Sequence, residues 1–186
     1  MRILTVIPTH DRLRFLREAL DSVASQTRLP DEVVIAGNVG VVNGFDHLWM
    51  VGEGSLVARL NKVISASDCD AFIVLGDDDR IKPEFIEKTS AEMEAKGADI
   101  VFTNYQEFGD SDAVVECGPW EQLDSVNTIP VTALCRRSVW EQIGGYQEVK
   151  YFDWDFWRRA QVSGAKAVHY FDTLFEYRRH AGQMGG

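Results

Sequence analysis

Three consecutive aspartates, Asp77-Asp78-Asp79, follow the most strand-like run of the chain, Ala71-Phe72-Ile73-Val74-Leu75. Adjacent carboxylates repel one another, and a bound divalent cation relieves that repulsion. Oxygen donors of this kind suit Mg2+ or Mn2+, typically shared with a substrate phosphate. The competing reading is a solvated acidic turn. Against it stands the preceding run, apolar on both faces, which anchors the acids to a sheet at the strand end where open α/β sheets bind ligands. A second candidate is Asp153, within Phe152-Asp153-Trp154-Asp155-Phe156-Trp157. At a helix start an aspartate is an ordinary cap, but beside bulky apolar groups desolvation would raise its pKa and make it a better base. His180 is the third. By itself, a lone histidine in a polar tail is ordinarily only exposed.

The segments that must position these groups alternate. Ile3–Ile7 reads as a buried strand, and Leu13, Leu16, Leu20 and Val23 form one helical stripe ending near Gln26. Glu32–Ala36 is a second strand closed by Gly37-Asn38, completing a βαβ unit and so a parallel sheet. Leu48–Val51 is a candidate third strand, and Leu56, Leu60, Val63 and Ile64 a second helical stripe. After the acidic triplet, Pro83 opens a helix through Lys96, followed by a strand over 99–105 and a hairpin or loop over 106–118. A strand is expected over 129–137. Ser138-Val139-Trp140-Glu141 has capping-box spacing, placing a helix from Ser138 to Gly144-Gly145. A helix over 153–163, a strand over 165–170 and a tail ending in Tyr177-Arg178-Arg179-His180 complete the chain. The pattern is α/β, in one layered domain.

Composition narrows the functional classes. At 186 residues the chain fits one domain of roughly 100–200 residues, and it needs no disulfide or structural metal to fold. The formal charge of −10 disfavours binding a polyanion through the whole surface. Three scattered cysteines, Cys69, Cys117 and Cys135, form no CxxC and no disulfide framework, so a reducing cytoplasm is expected. No apolar run reaches the ~18 residues of a membrane span, and the first strand is too short for a signal-peptide core.

Together these segments resemble the family 2 glycosyltransferases, nucleotide-sugar-dependent enzymes of the A-type fold. The family's opening pattern is matched by Val6-Ile7-Pro8-Thr9-His10-Asp11-Arg12 and Ser22-Val23-Ala24-Ser25-Gln26-Thr27. The helix running into Asn61-Lys62 resembles its Leu-Asn segment, and the acidic triplet before Pro83 its metal-binding aspartates. Arg136-Arg137-Ser138 with Ile143-Gly144-Gly145-Tyr146, then Asp153-Trp154-Asp155, then Tyr177-Arg178-Arg179-His180 resemble the remaining motifs in order. The likeness spans residues 3–180. Three positions depart from the pattern. Gly76 stands where the family often has an acid, Gly37-Asn38-Val39-Gly40 where it has Asp-Asp-Gly-Ser, and Phe152 where it has Glu. Which two of the three aspartates hold metal stays open, and uridine is not implied.

The resemblance implies a GT-A, Rossmann-like fold with a mostly parallel central sheet flanked by helices. Its nucleotide-sugar half would cover about 1–105 and its acceptor half about 106–186. It implies metal-dependent, inverting transfer from a nucleoside-diphosphate sugar to an acceptor hydroxyl. Asp77, Asp79 and His180 would hold Mn2+ or Mg2+, with Asp77 and Asp78 also meeting substrate. Pro8, Thr9, Arg12, Asn38 and Asn61 would line the nucleotide pocket, and Asp153 would be the base. Paired arginines (Arg136-Arg137, Arg158-Arg159, Arg178-Arg179) are either solvated element ends or contacts for an anionic acceptor. Polysaccharide, lipid-linked, protein and modified nucleic-acid acceptors all stay open. A nucleotidyltransferase would need a glycine-rich basic loop after the first strand, which Pro8–Arg12 is not. A phospho-receiver module leaves the last third of the chain unmatched. A catalytically silent nucleotide-sugar binder remains, because of Gly76 and Phe152.

Overall fold

Strand β4 (Ala71–Val74) is apolar on both faces because helices cover it on both. Phe72 and Val74 face helices α2 (Leu56–Ala66), α4 (Arg137–Ile143) and α5 (Phe152–Val162). Ala71, Ile73 and Leu75 face α1 (Leu13–Ala24) and α3 (Phe85–Lys96). The same alternation runs through β1 (Ile3–Pro8), where Leu4 and Val6 join the first core and Ile3 and Ile7 the second. A fully buried Leu, Ile, Val or Phe contributes about 1.5–3 kcal/mol, so two such cores fix the layers. The computed structural model describes residues 1–9, 12–37, 49–50 and 52–181. Asn38, His10, Asp11, Leu48, Val51 and the 182–186 end lie outside the described residues.

The sheet runs β3-β2-β1-β4-β8-β6-β9-β5, with β7 added on β6. Here β2 is Glu32–Ala36, β3 Trp49–Met50, β5 Arg80–Ile81, β6 Ile100–Gly109, β7 Val114–Val115, β8 Leu134–Arg136 and β9 Ala167–Arg179. The long pairings are parallel: β1 with β2 and β4, and β6 with β9. Each antiparallel pairing joins only two residue pairs. The sheet is therefore mostly parallel, as expected.

Several expectations are corrected. The 129–137 strand is confined to Leu134–Arg136, because Pro130 lacks a donor and the Thr132 hydroxyl donates to the Val74 carbonyl at 3.0 Å. Helix α4 starts at Arg137 with Arg136 as N-cap and no side-chain cap bond, so Ser138 makes no capping box. Glu141 pairs with Arg137 instead, at 3.1 Å. Leu13, counted in the helical stripe, is 54% exposed. Asp153 lies inside the first turn of α5, whose N-cap is Tyr151. Most consequential, there is no free polar tail before His180. The strand expected over 165–170 continues to Arg179 after two register shifts, opposite Thr103/Asn104 and Asn104/Tyr105, that admit Phe171, Asp172 and Leu174. That interruption hides the strand period from the sequence.

Candidate active site

Between β4 and β5 the chain turns over Gly76–Asp79, closed by the Asp79 N–H donating to the Gly76 carbonyl at 3.1 Å. All three carboxylates fold inward: Asp77, Asp78 and Asp79 are at most 8% exposed. A Cβ on Gly76 would stand 2.8 Å from Asp79 Oδ2 and 3.0 Å from Asp78 Oδ1. Glycine at 76 is what lets both acids pack over the turn. Strand β5 pairs with β9, Arg80 opposite Glu176, and so lays the end of β9 along the acidic turn.

Each acid has distinct partners. Asp77 Oδ2 accepts from the Thr9 hydroxyl at 2.5 Å, and Asp77 Oδ1 from Arg12 Nη2 at 2.5 Å. Asp78 Oδ2 takes Arg12 Nη1 at 2.6 Å and faces His180 Nε2 at 3.1 Å. Asp79 Oδ1 accepts from the Arg178 backbone N–H at 2.8 Å, while Arg178 Nε donates to the Asp78 carbonyl at 2.7 Å. Burial pushes the Asp79 carboxyl well above the usual carboxylate range, and the Asp78 charge adds to it. Asp77 is raised by burial too, with Thr9 and Arg12 opposing. The Arg178 guanidinium is packed on Phe15 and Phe108, centroids 4.5 and 4.3 Å away, and bonds Glu18 on α1. His180 rests on Phe15, ring centroids 5.1 Å apart. The end of β9 is thereby fastened to both α1 and the turn.

Of the residues singled out in the sequence, Thr9, Arg12, Asp77, Asp78, Asp79 and His180 come together. Pro8 ends β1 beside them, opposite Ala36. Asp153 is half-buried and accepts from Asn127 Nδ2 at 3.1 Å. Among the described residues no hydrogen bond or ion pair joins it to the triplet; the Tyr177 hydroxyl is raised first by burial and then by the charges of Asp79, Asp78 and, last, Asp153, against Arg179. Asn61 is not brought to the acids. Its Nδ2 donates to the Tyr146 carbonyl, and its Oδ1 accepts from Tyr146 N–H and Trp140 Nε1, at 2.8–3.0 Å. It clamps the turn after α4, where a Cβ on Gly145 (φ +75°) would meet Asn61 Oδ1 at 2.7 Å. Each paired arginine has a partner inside the chain. Arg136 bonds the Ala98 carbonyl, Arg137 Glu141, Arg158 Asp124, Arg159 Asp155, Arg178 Glu18 and Arg179 Glu107.

Arg59 is the residue that sequence reasoning missed. It is 8% exposed, Nη1 reaches the Thr9 carbonyl only at 3.4 Å, and Nε has no hydrogen-bond partner among the described residues. A buried guanidinium with so little compensation favours an anionic or carbonyl-rich neighbour. The signal was present: Arg59 sits three residues after Leu56 and four before Val63, a charge on the apolar stripe of α2.

The donor set suits a divalent cation. Asp78 Oδ2 and His180 Nε2 lie 3.1 Å apart, at hydrogen-bond distance, and both are donor types that a divalent cation would take. Carboxylate oxygens with an imidazole favour Mn2+. Among the described residues no three acidic, histidine or cysteine side chains already converge as a cage, because the carboxylates close on Arg12 and Arg178 N–H.

Comparison with known proteins follows the same lines. The family described as "Glycosyl transferase family 2" matches residues 52–144, half of the chain. An uncharacterized glycosyltransferase of Bacillus subtilis, YwdF, is 27% identical over 86% of this chain and 68% of its own length. Glycosyltransferase GlyG of Streptococcus pneumoniae is 21% identical over 98% of this chain and 72% of its own length. The structure of S. aureus TarS 1–349 in complex with UDP-GlcNAc superposes with a TM-score of 0.80 at 14% identity, over 99% of this chain. At that identity the likeness is one of fold, and the chain spans 60% of that structure's length.

Proposed function

This chain belongs to glycosyltransferase family 2, and from that premise we propose that it transfers a sugar from a nucleoside-diphosphate sugar to an acceptor hydroxyl with inversion, as one catalytic domain. The observation that carries the reading is the buried Asp77–Asp79 turn gathered with Thr9, Arg12 and His180. The UDP-GlcNAc bound to TarS makes UDP-sugars the first donors to test.

In this reading Asp78, Asp79 and His180 hold a divalent cation, with Asp77 held back by Thr9 as the support of Arg12. The cation, when bound, neutralises charge developing on the diphosphate leaving group. Arg12 grips the diphosphate through its two-pronged guanidinium, a geometry suited to phosphate oxygens. Pro8, Thr9 and Arg59 line the nucleotide side. Asp153 accepts the proton of the acceptor hydroxyl as that oxygen attacks the anomeric carbon from the face opposite the diphosphate. The intramolecular pairing of all six arginines argues against a preformed anionic acceptor site, and the acceptor class stays open. The cytoplasm is the proposed location. No helix among the described residues is long and apolar enough to cross a membrane.

A panel of nucleotide-sugars incubated with Mn2+ and the protein tests the reading. Release of nucleoside diphosphate from one or a few donors, lost on chelation, is the expected outcome. Donor binding without any turnover on any acceptor would favour the silent binder that Gly76 and Phe152 suggest.

A further inference from the structure

We propose that Arg12 and the divalent cation compete for the same carboxylate oxygen, so that the site takes up its cation only as the donor diphosphate draws Arg12 away. The proposal rests on the cation reading given above. Asp78 Oδ2 is approached by two groups at once, Arg12 Nη1 at 2.6 Å and His180 Nε2 at 3.1 Å. The same guanidinium reaches both oxygens of Asp77, Nη2 to Oδ1 at 2.5 Å and Nε to Oδ2 at 3.3 Å. One arginine thus bridges two of the three acids with its whole fork.

A cation shared by Asp78 Oδ2 and His180 would take the oxygen that Nη1 holds. Two positive groups on one carboxylate oxygen, in a turn where Asp77 is fully buried, repel strongly. The two occupants therefore disfavour each other. Arg12 is the partner able to leave. It is the residue capping α1 with non-helical backbone angles (φ −104°, ψ 54°), and its side chain is 27% exposed. Asp77 keeps the Thr9 hydroxyl when Arg12 departs, so that acid is not left without a donor. A diphosphate offers the guanidinium an equivalent bidentate partner. Donor and cation then enter together, each favouring the other, as linked binding requires.

The consequence is direct: removing Arg12 from the nucleotide pocket strengthens metal binding. Titration of Mn2+ alone into the full chain, by calorimetry or by the spectrum of free Mn2+, reads it directly. Arg12→Gln is expected to bind Mn2+ at least about tenfold more tightly than wild type, equivalent to about 1.4 kcal/mol. UDP should raise the Mn2+ affinity of wild type much more than that of Arg12→Gln. Arg12→Lys, which keeps the charge without the fork that bridges two acids, should fall between them, and it serves if the glutamine variant folds poorly. Unchanged or weaker Mn2+ binding in both variants, with wild type binding Mn2+ in the presence of UDP, overturns this proposal alone. No Mn2+ binding to any of the proteins, with or without UDP, overturns the cation reading and this proposal with it.

Discussion

Burial and a neighbouring carboxylate hold the Asp79 carboxyl well above its ordinary range, and that has a cost in stability that a cation would offset. A carboxyl whose folded-state pKa exceeds its unfolded one favours folding at pH below the unfolded value. The contribution is lost as pH rises through the folded value. In chelator, therefore, stability should fall as pH rises through the Asp79 titration. Asp79→Asn should abolish that slope and raise the neutral-pH melting temperature by about 2–4 °C, as expected for a gain near 1 kcal/mol in a chain of this size. The same variant should lose Mn2+-dependent donor binding. A variant less stable than wild type at neutral pH would show that the buried charge is already compensated. Asp153→Asn belongs to the same scale. Donor affinity should be nearly unchanged and transfer reduced by about 10²–10⁴-fold, the usual worth of a general base. Turnover within about threefold of wild type, far short of that range, would leave Asp153 a structural acid of the first turn of α5.

At the scale of elements, the acids were legible in the sequence because β4 announces itself: an uninterrupted, short apolar run reads as a buried strand, and the turn after it then carries Asp77–Asp79 at the carboxyl end of the sheet. Helices α1 and α2 followed from their stripes, and α3 from the proline that precedes it. What hid was long-range. β5 is two residues long, and no local pattern marks it. β9 is broken by two register shifts that admit Phe171, Asp172 and Leu174, an odd number that resets its alternation, so its pairing with β5 and the delivery of His180 to Asp78 could not be read from spacing. That link came from the resemblance of Tyr177–His180 to a family ending, not from the residues. Asn61 misled for the opposite reason. Its motif position suggested the nucleotide, whereas its amide is fully committed to the turn after α4. Asn61→Ala should therefore cost about 2–3 kcal/mol in denaturant unfolding, from buried groups left unsatisfied, with little change in donor affinity. A stable variant with a weakened donor affinity would return Asn61 to the nucleotide pocket.

For the whole molecule, the positive groups at this end of the sheet include Arg12, paired with Asp77 and Asp78, and Arg59, whose contact is with the Thr9 carbonyl. Both point toward Thr9 and the carboxyl ends of β1 and β4, which is where a nucleoside diphosphate is expected in an open α/β sheet. Strand β9 closes that end from the other side, held by Arg178 on Phe15, Phe108 and Glu18. The site is thus assembled from the first and last elements of the chain across the acidic turn. The central claim is that this turn binds a nucleotide-sugar through a cation. Calorimetric titration of the donor selected by the panel, with Mn2+ and with chelator, into wild type and Asp78→Ala addresses it most directly. The account predicts tight binding by wild type with Mn2+, strong weakening in chelator, and equally weak binding by Asp78→Ala in both conditions. Donor affinity independent of Mn2+ and unchanged by Asp78→Ala would contradict it.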